Sequence, residues 1–434
     1  MAKLPKFVFP IFLTLFFLAA PALIFFASGY RFDSKTGQVS RVGIIIVDGE
    51  PRDTHVYLND ELVDTRLPLK QKGVQPGIYD IRLTSGGHHD AWFRRDLRSG
   101  ESMVISPIFL LLTSIPELVR EGSVLSVTPH ADRDQFLVEI KHATGKQLFL
   151  YHAQQDTWTS LYTTDSLSDW ELSFNQDYSK ILLQTRGLFR IISLDESPIT
   201  PLFYKNVAWS KTHGNELFAV DVLGQLVRLS TQDLKTPLVL SDATSLISVA
   251  PDYALITRRV GGVDQLARVS FSDEEVTYVD EFRNTAFYAD AGESGLFIHD
   301  GNVAHHTSNG LEPLVDFDQH RVVWTEESGE HVAYIYNAFE IVRWNPGTQD
   351  ITAVARYSGD VRAVEPLIGT PYILIARGNE LLALNTTETE HQTTVLLRDV
   401  LIDHIQSDSK GTTATISGAI GDETGLFSLE LRED

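Results

Sequence analysis

The chain has 434 residues, of which 43% are hydrophobic and 22% charged, a balance that belongs to folded globular domains and excludes a disordered chain. A formal net charge of -22 excludes nucleic acid as an expected partner and disfavours anionic lipid headgroups, while the absence of cysteine excludes disulfides, thiolate metal sites and cysteine nucleophiles. At this length two or three domains are expected.

From Phe7 to Tyr30 no residue is charged, and the run includes FVFPIFLTLFFLAAPALIFFA. A helix rises about 1.5 Å per residue, so this segment reaches across about 30 Å of hydrocarbon. Lys3 and Lys6 precede it, which keeps residues 1–6 as a cytoplasmic tail and sends the following domains outward. Arg31, Lys35 and Arg41 blunt that asymmetry, although long domains cross largely regardless of charge. Ala20, Ala22 and Ala27 would suit a cleavable signal peptide, but the apolar run exceeds an ordinary h-region. Residues 7–28 are therefore expected to be an uncleaved transmembrane signal anchor, with 29–41 as a juxtamembrane segment.

Residues 42–106 alternate strand and turn signals. VGIIIVDGEP is a β-branched run closed by Gly49 and Pro51, and GIYDIRLTSGG alternates Tyr79, Ile81 and Leu83 with Asp80, Arg82 and Thr84. Two more short strands flank Ser99-Gly100. The pattern predicts a small antiparallel β-sandwich with Trp92, Phe93, Tyr57 and Leu83 in its core. GIIIVDGEPRDTHVYLNDELV followed by PGIYDIRLTSGGHHDAWFRRDLRSGES resembles the PEGA domain: Pro51 matches the family's proline, Val56 to Asp60 its strand and turn, and Pro76-Gly77 its second turn. Arg52, Asp53 and Thr54 replace the Glu-Gly-Ala that names the family. The resemblance implies an extracytoplasmic binding or spacing module of an envelope protein, without catalytic residues.

Residues 107–127, including SPIFLLLTSIPELVREG, read as a linker or a strand that closes the next domain. Residues 128–434 then repeat a frame of strand, polar turn, strand, Gly or Asn turn and strand. It is clearest in LSFNQDYSKILLQTRGLFRII, VAWSKTHGNELFAVDVLGQLVRL and VVWTEESGEHVAYIYNAFEIVRW. Turns beginning at Pro129, Asn175, Ser210, Pro251, Asp290, Thr325, Gly369 and Asp408 recur at the period of a propeller blade. A β-propeller of seven or eight blades is predicted, with eight preferred, and Trp209 and Trp324 as equivalent blade-core residues. The last copy has room for about three strands, so a strand from ESMVISPIFLLL or SVLSV is expected to complete it. The turns AWSKTHGN, VWTEESGE and VAPDY resemble those of TolB-like periplasmic propellers, a likeness of architecture that does not specify function.

No GxSxG, HExxH, P-loop or GxGxxG motif occurs. His88, His89 and Asp90 suggest a metal, but adjacent strand residues point to opposite faces, and a solvated turn is the simpler reading. The same objection meets His305 and His306, read as following a strand exit. Asp132 with Asp134, and Asp316 with Asp318, place paired carboxylates without a ligand loop and read as surface turns, as does Ser294 in GESG. Asn385 opens a glycosylation sequon that means little in a bacterial protein.

No catalytic, cofactor-binding or metal residue is thus assigned. The expected fold is all-β after the anchor. The expected protein is a single-pass cell-membrane protein with extracytoplasmic domains, non-enzymatic, whose propeller binds an envelope protein or a cell-wall glycan while the PEGA-like module acts as spacer. The alternative is a propeller-housed glycan hydrolase or lyase, which requires several acids and a His or Tyr converging at one mouth of the central channel.

Overall fold

The computed structural model describes residues 8–32, 39–130, 133–185, 187–194, 199–210, 216–229, 235–239, 242–250, 252–272, 275–281, 286–291, 294–299, 302–307, 310–315, 320–327, 329–387 and 393–433. It is mostly β. The single helix among these residues, α1, is Val8–Ala27, 20 residues with no charged side chain and Pro21 inside it. Among the described residues no helix is long and apolar enough to cross a membrane.

The chain divides into two units, Met1–Ile115 with Thr387–Leu396 and Glu430–Asp434, and Pro116–Thr386 with Leu397–Leu429. In the first, β1 (Tyr30–Phe32) pairs antiparallel with β2 (Val39–Arg41). The strands β3 (Gly43–Glu50), β4 (His55–Leu58), β5 (Glu61–Asp64), β6 (Leu69–Val74), β7 (Gly77–Thr84), β8 (Ala91–Leu97) and β9 (Ser102–Phe109) then form two sheets, ordered β6-β3-β9 and β5-β4-β7-β8. The pairing is antiparallel except between β3 and β9, which run parallel. Period-two alternation sends Ile45 and Val47 of β3, Val56 of β4, Ile81 and Leu83 of β7, Phe93 of β8 and Ile105 of β9 into one shared core. Asn59 and Asp60 both sit at positive φ, 50° and 66°, as a two-residue hairpin loop requires. Gly49 is dictated by a close approach: a side chain there would collide with the backbone of Ile108.

Two expected core residues lie elsewhere. Phe93 and Leu83 are buried, but Trp92 is 52% exposed and Tyr57 only partly covered. Trp92 and Phe93 are neighbours on one strand, so only one of them can face inward, and Phe93 does. The carboxyl-terminal residues belong to this unit: Leu431 is buried, its carbonyl accepts the Leu112 N–H at 2.8 Å, and Arg432 donates to Glu50 at 3.2 Å.

Among its described residues the second unit holds eight four-stranded antiparallel sheets. Seven are simple meanders, spanning 124–164, 171–202, 206–239, 243–281, 286–315, 321–356 and 361–398. The eighth takes three strands from 400–430 and its fourth, β10 (Glu117–Glu121), from the start of the unit. First strands of successive sheets meet one another: Asn206–Trp209 meets Ala243–Val249, Arg321–Glu327 meets Val361–Pro366, and Val361–Pro366 meets Val400–Ser407, which also meets Val124–Pro129 of the first sheet. Radially repeated meanders whose first strands converge make a β-propeller.

The strand that joins the ends is β10, paired antiparallel with Glu423–Glu430. It lies within residues 107–127, the segment read as a linker or closing strand, but in neither of the two stretches singled out to supply it. Residues 102–109 are β9 of the first unit, where Met103, Ile105 and Ile108 fill the core, and Val124–Pro129 opens the first sheet. Of the two tryptophans expected to be equivalent, Trp209 is buried and Trp324 partly so, while Trp344, fully buried, is the larger anchor of its blade. Asp132, Pro251, Asp316 and Asp318 lie outside the described residues.

Candidate ligand-binding site

In a meander, the turn after the first strand and the turn after the third lie at one end of the sheet. At that end of the propeller the chain closes its first turns with buried polar side chains, among them Asn175, Ser210, Thr325 and Ser407. Asn175 shows the device. Its Oδ1 accepts the Lys180 N–H at 2.8 Å and its Nδ2 donates to Asp177 Oδ1 at 2.5 Å, which in turn accepts the Ser179 N–H at 3.0 Å. Asn and Asp side chains thus replace the backbone partners that the turn lacks.

The turns of Asn175 and Ser210 border a cavity of about 960 Å³ framed by the first strands of four consecutive sheets: Thr128 and Pro129, residues 171–174, residues 207–209, and residues 247–249. Three aromatic residues line it, Phe174, Tyr178 and Trp209. Thr128, Ser173, Ser210, Ser248, Gln176 and Gln184 add hydroxyl and amide groups to the lining, while the buried Asn175 amide is committed to its own turn. The lining holds one carboxylate, Glu171. Trp209 is held in place by its Nε1–H, which donates to the Ser173 carbonyl at 3.1 Å. At the rim His130 packs edge-on against Phe174 and Tyr178, at ring distances of 5.5 and 5.2 Å, with Nε2 3.1 Å from the Tyr178 carbonyl oxygen. Aromatic surfaces interleaved with hydroxyl and amide groups suit an uncharged, hydroxyl-rich ligand. The several acids that a hydrolase would need are absent from this lining.

A second polar constellation lies where the last sheets meet the first. Arg133 Nη1 donates to Glu365 Oε1 at 2.6 Å, and the Ser407 N–H and Oγ–H both reach the same oxygen at 3.1 Å. Glu365 is 1% exposed. Burial drives its carboxyl above the ordinary range, against the pull of Arg133 and the Ser407 donors. These contacts tie the first sheet to the last two. In the first sheet, the buried Lys146 ammonium pairs with Glu139 and lies 4.3 Å from the Trp170 ring centre, again a closed structural pair.

The histidine and carboxylate motifs do not converge. His88 Nδ1 is 2.9 Å from the Gly86 carbonyl oxygen in its turn, and burial lowers the pKa of His89. His305 lies inside the strand Asn302–Thr307 rather than after its exit, buried against Trp344 at 5.4 Å, with its pKa lowered by desolvation although Glu312 acts in the opposite direction. Asp134 accepts from Gln154 at 3.0 Å and from Ser409 at 3.2 Å. Asn385 is buried, which argues against its use as a glycosylation acceptor. The side chains of Ser294 and His306 lie outside the described residues. Among the described residues no group of three or more His, Asp or Glu side chains is placed to hold a metal ion. The cavity itself had one legible signal, the NQDYSK turn; its other walls come from strands far apart in sequence.

No protein-family model matches the chain, and no curated protein matches it. Solved structures to which it is similar include the carboxyl-terminal WD40 domain of Sif2, at 11% identity over 73% of this chain and 99% of that one, TM-score 0.48. They also include the Dos1 propeller, at 10% identity over 74% and 98%, TM-score 0.48. Oligogalacturonate lyase from Vibrio parahaemolyticus is matched at 10% identity over 72% and 98%, TM-score 0.37. At these values the likeness assigns no activity.

Proposed function

We propose that this chain is a membrane-tethered, extracytoplasmic, non-enzymatic binding protein whose eight-bladed propeller takes a glycan or a hydroxyl-rich segment of an envelope partner in the cavity between its first strands. The observation that supports this reading is the lining: three aromatic rings, seven hydroxyl and amide side chains and one carboxylate, set among seven aliphatic residues. Such a set can stack on and hydrogen-bond to a sugar chain but lacks an acid pair to cleave it.

The tether is α1. Twenty residues at about 1.5 Å each span about 30 Å, the hydrocarbon thickness of a bilayer. Phe12, Leu18, Leu23 and Ile24 each expose more than half of their surface, which water would penalise and lipid would not. The PEGA-like module follows as spacer. Alkaline carbonate extraction of membranes should leave the full chain in the pellet, and release into the supernatant would remove the tether from the proposal.

The binding reading is tested with the full chain in detergent micelles, co-sedimented with purified cell-wall polymer. Saturable binding is expected, weakened by Tyr178→Ala and Gln184→Ala. Turnover of a polysaccharide or peptide by the same preparation would replace binding with catalysis, and absence of binding would overturn the wall-glycan form of the proposal.

A further inference from the structure

The outer face of the four-stranded sheet of the first unit carries a row of side chains in cross-strand register. Leu62 of β5 stands opposite Tyr57 of β4, Tyr57 opposite Arg82 of β7, and Arg82 opposite Trp92 of β8. At about 4.8 Å between strands the row is about 14 Å long. The Arg82 guanidinium lies 4.3 Å from the Tyr57 ring centre and 5.1 Å from that of Trp92, held between two π-faces. Trp92 remains 52% exposed and Leu62 47% exposed.

Among the described residues the Arg82 guanidinium meets no acceptor. Its Nε is sealed from solvent without a hydrogen-bond partner, and none of its other N–H groups meets a carboxylate or carbonyl among the described residues. On the same face Arg94 lies 3.7 Å from Asp80. The aromatic rings fix the plane of the guanidinium and leave its terminal amino groups as a forked donor beside an open indole. A guanidinium held in a fixed plane between two rings is complementary to an incoming anion, and the flat fork matches a carboxylate.

We propose that this row is a second binding site, for a uronic-acid saccharide. The carboxylate pairs with the terminal amino groups of Arg82, while the sugar ring bearing it lies on Trp92, and Leu62 and Tyr57 extend the platform. The spacer module is therefore a binding module in its own right, acting independently of the propeller cavity.

The test uses the full chain in detergent micelles and two tetrasaccharides with one skeleton, β-1,4-linked glucuronate and the corresponding neutral glucan. Titration calorimetry and tryptophan fluorescence should show the glucuronate binding at least about 10-fold more tightly, as loss of one charge-assisted pair implies. Arg82→Gln should abolish that preference. Arg82→Lys, which keeps the charge but not the fork, should weaken glucuronate binding, and Trp92→Ala should weaken it while leaving the melting temperature within about 2 °C of wild type, as expected for an exposed position. Equal binding of the two sugars, a preference unaffected by either Arg82 variant, or no glucuronate binding at millimolar concentration would each overturn the proposal. Because Tyr178→Ala and Gln184→Ala leave the sheet intact, loss of polymer binding in those variants with retained glucuronate binding separates the two sites.

Discussion

Glu365 provides the sharpest test of how the propeller is held together. Replacing Arg133 with methionine removes the cation 2.6 Å from a carboxylate that is 1% exposed, leaving only the two Ser407 donors. Stranding one partner of a buried pair costs about 3–5 kcal/mol, and because Arg133 retains some exposure the lower figure applies. At about 2 °C per kcal/mol for a domain of this size, the melting temperature should fall by about 6 °C. The sign with pH follows from the direction of the shift. A carboxyl whose folded pKa lies above its unfolded value contributes stability that is complete below the unfolded pKa and is lost as pH rises through the folded one. The Arg133→Met variant should therefore be hurt more at pH 8 than at pH 5. Adding Glu365→Gln should restore at least half of the loss, because the cost lies in the stranded charge rather than in the missing attraction. Scanning calorimetry of the three proteins at both pH values decides the matter. A double variant worse than Arg133→Met, or a loss independent of pH, would refute the reasoning.

Three further outcomes are expected. Gly425→Ala should destabilise the protein by about 1–3 kcal/mol in chemical denaturation, because its new methyl group would overlap the Arg120 carbonyl oxygen of β10 and push the closing strand away. Trp344→Ala should cost about 3–5 kcal/mol by the same measurement, and Trp344→Phe clearly less, since the buried indole N–H has no hydrogen-bond partner to lose. His404 is held neutral by desolvation, although Asp403 and Glu139 oppose this, with Nδ1 3.0 Å from Ser417 Oγ. Its lowered pKa means the unfolded state takes up the proton first, so stability should drop as pH falls below about 6.5, and His404→Gln should flatten that part of the melting-temperature profile.

The site was less legible than the fold, for reasons that particular residues make plain. Alternation in GIIIVDGE and GIYDIRLT is strong enough to assign strands and faces, because period two leaves only two choices for each side chain. At Trp92 and Phe93 both candidates are large and apolar, and only the registry of β8 against β7, which pairs Ile81 with Phe93 and Arg82 with Trp92, decides which one enters the core. The His305-His306 pair read as following a strand exit; the ladder that pairs His305 with Glu312 carries it inside one.

By itself the sequence determined the composition of the parts: an uncharged apolar helix, a small module of alternating strands, and a repeat whose period suits four-stranded sheets. These follow from local rules, since helix length, strand alternation and turn chemistry are all written in adjacent residues. Tertiary structure decided everything that depends on residues distant in sequence. It selected β10 over two apolar competitors to complete the last sheet, placed Arg133 beside Glu365 some 232 positions away, and brought four first strands around one cavity. Long-range pairing depends on which surfaces are buried together, and a strand's own sequence specifies the face it buries but not the partner that covers it.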